Sequence, residues 1–351
     1  MSETWPTLPS PTPAEPVRTA ASTLGAAHDV VQRLRARLRA AIIGRDEVVD
    51  LIVVALLADG HVLLEDYPGS GKTTLARALG ESLVDDGPHD EIVAMRRIQF
   101  TPDLMPSDVT GTTIFDPESN RFFFRPGPIF AHIVLADEIN RTSPKVQAAL
   151  LEAMAEKQVT IDNQTHRLDE LFLVIATQNP LDLAGTFPLP AAQLDRFLFK
   201  IRMTHISRDA ELIVLKTLGD RKAGARPELP RVTRSEILAA RAAIERDVFV
   251  ADAIQEALVD IAERTRNDDR IILGTSTRSL VLAMPALRAR ALLVGRDFVS
   301  PDDVAYLAPL VFAHRIETAP GIDDAAEAIR ECCTAPLEKL ARASLHTLRR
   351  G

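Results

Sequence analysis

The run Pro68-Gly69-Ser70-Gly71-Lys72-Thr73-Thr74 carries the residue types that bind a triphosphate. Gly69 and Gly71 let the backbone turn so that its N–H groups point inward at phosphate oxygens. A helix starting there adds its partial positive charge. Lys72 can reach the β- and γ-phosphates, and the Thr73 hydroxyl can ligate Mg²⁺. The apolar stretch His61–Glu65 leads into this run, and the helical spacing of Leu75, Ala76, Ala78 and Leu79 follows it. That strand–loop–helix context weighs against the competing reading, a Gly-rich turn that merely precedes Lys-Thr. Asp66 stands where the strict pattern has Gly. It begins the loop and does not face the γ-phosphate, so the variation is expected to be tolerated.

A second constellation is His132-Ile-Val-Leu-Ala-Asp137-Glu138, an apolar run ending in two acids. In open α/β sheets the carboxyl ends of strands open into the ligand crevice. Asp137 is placed to hold Mg²⁺, directly or through water, and Glu138 to polarise a water for in-line attack. The alternative is a pair of strand-end carboxylates with no role. Asn179 lies just beyond the apolar part of Leu171–Thr177. Its amide could hold the attacking water, or it could simply form an Asn-Pro turn. Arg196, in Leu194-Asp195-Arg196-Phe197, could stabilise the transferring phosphoryl group from a neighbouring subunit. The alternative there is an ion pair with Asp195 or another acid. Gly274-Thr-Ser276-Thr277-Arg278 reads as an N-cap at Ser276 with Arg278 in the first helical turn. A cation there opposes the helix dipole and needs compensation, which a bound phosphate would supply. A plain surface arginine is the competing reading.

Positioning these groups requires a sheet. The runs His61–Glu65, Val93–Phe100, His132–Ala136, Leu171–Thr177 and Phe197–Met203 predict five strands, several of them buried on both faces. Between them, Val146, Ala149, Leu150, Ala153 and Met154 share one helix face, with Ser143 as N-cap and Pro144 at the first helical position. The alternation predicts a doubly wound α/β domain with a parallel sheet over 21–204. After about His205 strand signals fade. A capping box at Thr233/Glu236, the stripe Ile254, Ala257, Leu258, Ile261 and the start Ser300-Pro301-Asp302-Asp303 predict an all-helical second domain over 205–346. A loop is expected around Pro227–Pro230. Residues 1–20, with Pro6, Pro9, Pro11, Pro13 and Pro16, read as a disordered tail. Val30, Leu34, Leu38 and Ile42 form a helical stripe. The interleaved Arg33, Arg35, Arg37 and Arg39 are either a solvated surface or a nucleic-acid or partner face.

Composition bounds the rest. The chain has 351 residues, 46% of them hydrophobic, with 41 Lys+Arg against 49 Asp+Glu and a net charge of −8. Bulk charge therefore argues against coating DNA or an anionic membrane, and no stable nucleic-acid binding is expected. Two adjacent cysteines, Cys332 and Cys333, make no disulfide framework and fit a reducing, cytoplasmic location. No apolar run approaches the length of a membrane span, and no signal peptide is read. The histidines show no metal-ligand spacing, and the sparse aromatics, Trp5 among them, give no base-stacking platform.

Gly60 to Thr73, Leu135-Ala-Asp-Glu-Ile-Asn-Arg141, Ala176-Thr-Gln-Asn-Pro180 and Phe187-Pro-Leu-Pro-Ala-Ala-Gln-Leu-Asp-Arg196-Phe together resemble the MoxR family of AAA+ ATPases, from about Ile42 to Arg315. The resemblance implies an AAA+ P-loop core with a five-stranded parallel sheet, followed by a helical lid, assembling into a ring, usually a hexamer. It implies Walker A roles for Lys72 and Thr73 and Walker B roles for Asp137 and Glu138. It implies that Asn179 is sensor 1, Arg196 the arginine finger, Arg278 sensor 2, and Ile43-Gly44 part of the adenine pocket. Phe122–Ile129 and Gln158–Asn163 fit inserts that face the pore or a partner in related rings. Val299–Val304 and Ala313–Arg315 are similar to the family's lid. Thr277 departs from the family's usual Pro before the sensor 2 arginine. A member of this family is expected to use ATP and Mg²⁺, with chaperone-like activity beside a von Willebrand factor A domain partner in protein or cofactor maturation. A regulatory module with little turnover, a nucleic-acid motor and a magnesium-chelatase-like subunit are the other readings. Glu138 and Arg196 weigh against the first, the acidic balance against the second, and the Pro188–Arg196 run against the third.

Overall fold

The computed structural model describes residues 20–65, 70–87, 92–179, 185–219, 229–322 and 324–348. Pro68 and Gly69 of the phosphate loop lie outside these residues. So do the Pro-rich tail, except for Ala20, and most of the loop expected before Pro230. Five strands form the central sheet: β1 (Val62–Glu65), β2 (Val93–Gln99), β3 (Ala131–Asp137), β4 (Leu173–Gln178) and β5 (Phe199–Arg202). They lie in the order β5-β1-β4-β3-β2, all parallel. The chain therefore reverses direction across the sheet between β1 and β4, which is where an open α/β sheet forms its ligand crevice.

The apolar runs are continuous because each face of the sheet is covered. Val62, Leu64, Ile133, Leu135, Leu173 and Ile175 point into one core. That core also holds α1 (Ala20–Ala41), α2 (Asp46–Leu57) and α3 (Lys72–Ser82). The intervening Leu63, Val134, Ala136, Val174 and Ala176 point the other way. They pack on Val146, Leu150 and Met154 of α4 (Pro144–Glu156), whose N-cap is Ser143. Strand period two thus assigns successive side chains to opposite layers.

Beyond β5 lie α5 (Arg208–Lys216), α6 (Arg234–Asp247), α7 (Asp252–Arg266), α8 (Thr277–Leu293), α9 (Pro301–Phe312) and α10 (Ala325–Leu348). Thr233 and Glu236 form the expected capping box on α6, and Ser300 and Asp303 form another on α9. Two short strand pairings accompany the helices. Ile271–Leu273 runs antiparallel to Glu317–Thr318, and Val232–Thr233 pairs with Leu83–Val84 of the core. The predicted stripe Val30, Leu34, Leu38, Ile42 is buried. Its arginines form neither a nucleic-acid face nor an idle surface. Arg33 pairs with Asp29 and Glu236, Arg35 with Asp50, and Arg39 with Asp46 and Asp50. Arg37 donates to Ser82 and to the Leu229 carbonyl. They tie α1 to α2, α3 and α6. Spacing shows only the Asp29–Arg33 pair, because the other acids come from α2 and α6.

His61 shows how the layers are fixed at the start of β1. Its Nδ1 accepts from the Val174 amide at 3.0 Å, and its Nε2 faces the Met154 carbonyl at 3.2 Å. This arrangement needs the neutral ring, and burial lowers its pKa to about 4. Burial, with the nearby Arg315 charge, likewise lowers His314 to about 3. Both folded values lie below the unfolded one, so the unfolded chain takes up more protons below about pH 6.5. Each histidine then costs about 1.4 kcal/mol of stability per pH unit of acidification. His132 has a raised pKa, and its contribution is fully present throughout that acidic range. Denaturant unfolding at pH 6 and pH 5 should therefore show lower stability at pH 5. His61→Gln, which can donate and accept at the same places, should flatten the slope. Equal stability at both pH values would contradict this account.

Candidate nucleotide-binding site

Gly71 has φ +94° and caps α3. This left-handed backbone favours glycine, and an added Cβ would project into open space. From this turn Lys72 reaches Asp137 at the end of β3, with Nζ 3.6 Å from Oδ1. Ser70, Lys72 and Thr73 are half-buried, and Thr74 is exposed.

The Asp137 side chain is 6% exposed. Burial opposes its charge. Bonds from the Thr177 hydroxyl and the Arg97 guanidinium, with the Lys72 charge, outweigh that and hold the carboxyl below its ordinary value. Thr177 Oγ1 donates to Asp137 Oδ1 at 2.7 Å, and Arg97 Nη2 to Oδ2 at 2.6 Å. The next residue, Glu138, has φ +60°, a left-handed conformation uncommon outside glycine. Its amide donates to Thr177 Oγ1 at 2.9 Å, so one hydroxyl fixes both acids. Gln99 Nε2 donates to Glu138 Oε2 at 2.9 Å, and Arg141 Nε lies 3.3 Å from the same oxygen.

Asn179 follows the tip of β4, where Asn140 Nδ2 approaches its carbonyl at 3.5 Å. Asn140 Oδ1 is buried and has no hydrogen-bond partner among the described residues. Arg196 sits after the helical turn Ala191–Leu194 and donates to the Leu151 carbonyl at 3.1 Å. Asp195 is not its ion-pair partner. That carboxylate instead meets Arg315 at 2.9 Å and Arg278 at 3.5 Å. Gly44 has φ +71°, and a Cβ there would lie 2.6 Å from the Ala210 Cβ. It lines a cavity of about 560 Å³, together with Val48, Leu51, Ile206, Leu310 and His314. Ile43 precedes it, half-buried.

The structure thus brings Lys72, Asp137, Glu138 and Asn179 to one end of the sheet, and joins Arg278 to the residue before Arg196. Sequence reasoning missed Arg97, Gln99 and Thr177, and it placed Arg315 in a lid-like segment without its bond to Asp195. Of the three, Thr177 had a signal, a hydroxyl inside an apolar strand that ends level with Asp137. No cluster of three or more His, Cys, Asp or Glu able to hold a metal occurs among the described residues. The Thr73 hydroxyl and Asp137 carboxylate are hard oxygen donors. Such a sparse pair fits Mg²⁺, whose shell is otherwise completed by phosphates and water.

A β5-β1-β4-β3-β2 parallel sheet, a lysine at the start of the helix after β1 and acids at the end of β3 are the arrangement of a P-loop nucleotide-binding core of the AAA+ class. The family model for the ATPase family associated with various cellular activities matches residues 61–199, and the AAA lid domain model matches 263–332. The chain is 36% identical to chaperone MoxR1 of Mycobacterium tuberculosis over 309 residues, 84% of this chain and 78% of that protein. It is 32% identical to protein MoxR of Methylorubrum extorquens, covering 83% and 89%. It is also 45% identical to protein YeaC of Bacillus subtilis, covering 84% and 88%. A solved structure of a protein from Cytophaga hutchinsonii assigned to the ATPases superposes with a TM-score of 0.79 at 31% identity, over 89% of this chain and 96% of that one. The chain belongs to the MoxR family of AAA+ ATPases.

Thr177→Val keeps the shape but strips the donor to Asp137 and the acceptor for the Glu138 amide. It should cost about 1–3 kcal/mol in urea unfolding. An unchanged urea midpoint would remove Thr177 from this account.

Proposed function

We propose that this chain binds ATP in the crevice between β1 and β4 and hydrolyses it, working as a chaperone-like remodeller. The observation that carries this is the contact of Lys72 with Asp137, with Glu138 beside it, at the mouth of the sheet. The backbone N–H groups from Gly69 to Thr74, in the turn that Pro68 opens, hold the phosphates together with Lys72. Thr73 and Asp137 would hold Mg²⁺, which when bound neutralises charge on the phosphate oxygens. Glu138 takes the proton from the attacking water, and Asn179 orients that water. Arg278 approaches the terminal phosphate from the lid. The Gly44 cavity takes the adenine, with Ile43 beside it. Arg196 acts in trans: its guanidinium stabilises the phosphoryl group held by the next subunit, which requires a closed ring, a hexamer in this reading.

The reading includes a maturation role beside a von Willebrand factor A domain partner, in the cytoplasm and without stable nucleic-acid binding; the relative named chaperone MoxR1 supports its chaperone-like part alone. Among the described residues no helix is long and apolar enough to cross a membrane. Glu138→Gln should reduce phosphate release about 100- to 10,000-fold, the range for loss of a general base. ATP affinity should stay near that of wild type. The same variant, held with ATP, should retain the partner in a pull-down. Full phosphate release by Glu138→Gln would overturn the assignment of the base.

A further inference from the structure

Helix α8 begins with Thr277 and Arg278, and no acid occupies its first turn. A cation at that end is repelled by the helix dipole. The compensation comes from another element. Asp195 Oδ2 lies 3.5 Å from Arg278 Nε, reaching across from the turn that precedes Arg196.

Asp195 serves two guanidinium groups at once, and they differ. Arg315 is 2% exposed. Its Nε bonds Asp195 Oδ1 at 2.9 Å, and its Nη atoms donate to the carbonyls of Phe197, Leu198 and Val311. Burial pushes its pKa down to about 10, Asp195 holds it up, and the Arg278 charge pushes it lower. Arg315 is therefore the fixed partner. Arg278 is 62% exposed and attached by a longer contact. Two cations share one carboxylate, and the exposed one is the one that can leave.

We infer that Asp195 is a positioning residue that competes with the terminal phosphate of ATP for Arg278. The carboxylate holds the lid arginine on the segment that bears Arg196, and a triphosphate engages it only by exchange of one anion for another. When Arg278 departs, Asp195 keeps a single counter-charge in Arg315, and the repulsion between the two guanidinium groups is relieved. The exchange thus discriminates ATP from ADP, which lacks the terminal phosphate. This inference rests on the proposed role of Arg278 at the nucleotide.

The test is calorimetric binding of ADP and of a non-hydrolysable ATP analogue to wild type and Asp195→Asn, with folding checked by thermal melting. The carboxamide keeps an acceptor for Arg315 and loses the charge that competes for Arg278. The variant should bind the ATP analogue about two- to fivefold tighter, as expected for removing a mostly exposed ion pair, with ADP affinity unchanged. The gap between variant and wild type should close as salt is raised. A merely structural role would weaken both nucleotides together. That result, or no change in either affinity, would overturn the inference. If the single variant fails to fold, Asp195→Asn with Arg315→Gln removes the buried cation along with its counter-charge and is read in the same way. Failure of the wild type to bind either nucleotide would overturn the nucleotide site as well.

Discussion

The carboxylate of Asp137 is almost wholly removed from solvent, and a charge so placed needs partners. Lys72 comes from the first turn of α3, Arg97 from β2 and Thr177 from β4. These three segments are far apart in sequence, and only the strand order β1-β4-β3-β2 brings them to one carboxylate. The same hydroxyl that bonds Asp137 accepts from the Glu138 amide, so the second acid is set by the first. Satisfying one buried charge therefore fixes Lys72, Asp137 and Glu138 relative to one another, the groups proposed as phosphate ligand, metal ligand and general base.

The rest of the chain holds that arrangement from outside. Both faces of the sheet are covered, and one core continues from the strands through α1, α2 and α3 into Ile254, Leu258, Leu287, Leu307 and Val311 of the C-terminal helices. His314 and Arg315 hold the carbonyls of Phe197 and Leu198, where the chain enters β5. The helical region is thus attached at several places. The arginines of α1 clamp it on one side, and Arg315 clamps it beside the segment that carries Arg196. A phosphate-dependent movement of Arg278 would act against the attachment at Arg315.

Much of this was legible in the sequence because local rules and tertiary demands agree there. Apolar runs long enough for a strand and too short for a helix located all five core strands to within about two residues. Ser143, Thr233, Ser276 and Ser300 located helix starts, since an N-cap is a local requirement. Lys72 stood out in a Gly-rich run between an apolar strand and a helix, and Asp137, Glu138 and Asn179 gained meaning at the ends of apolar runs because that loop lies upstream. What escaped was the wiring between distant segments. Arg97 and Gln99 sit on the edge strand, where a polar residue attracts no notice. Asp195 looked like a partner for Arg196, its neighbour, yet it faces Arg315 and Arg278. The arginines between the apolar residues of α1 looked idle for the same reason. The Val232–Thr233 and Ile271–Leu273 strands are too short to leave a period.

The claim at the centre of this account is that Lys72 holds a triphosphate which water, activated by Glu138, then cuts. The most direct measurement is magnesium-dependent release of inorganic phosphate from ATP by the purified wild-type chain, followed across protein concentration with folding verified. The account expects release whose rate per subunit climbs with concentration, because Arg196 completes the site of another copy. A folded chain that neither retained ATP nor released phosphate at any concentration would contradict it.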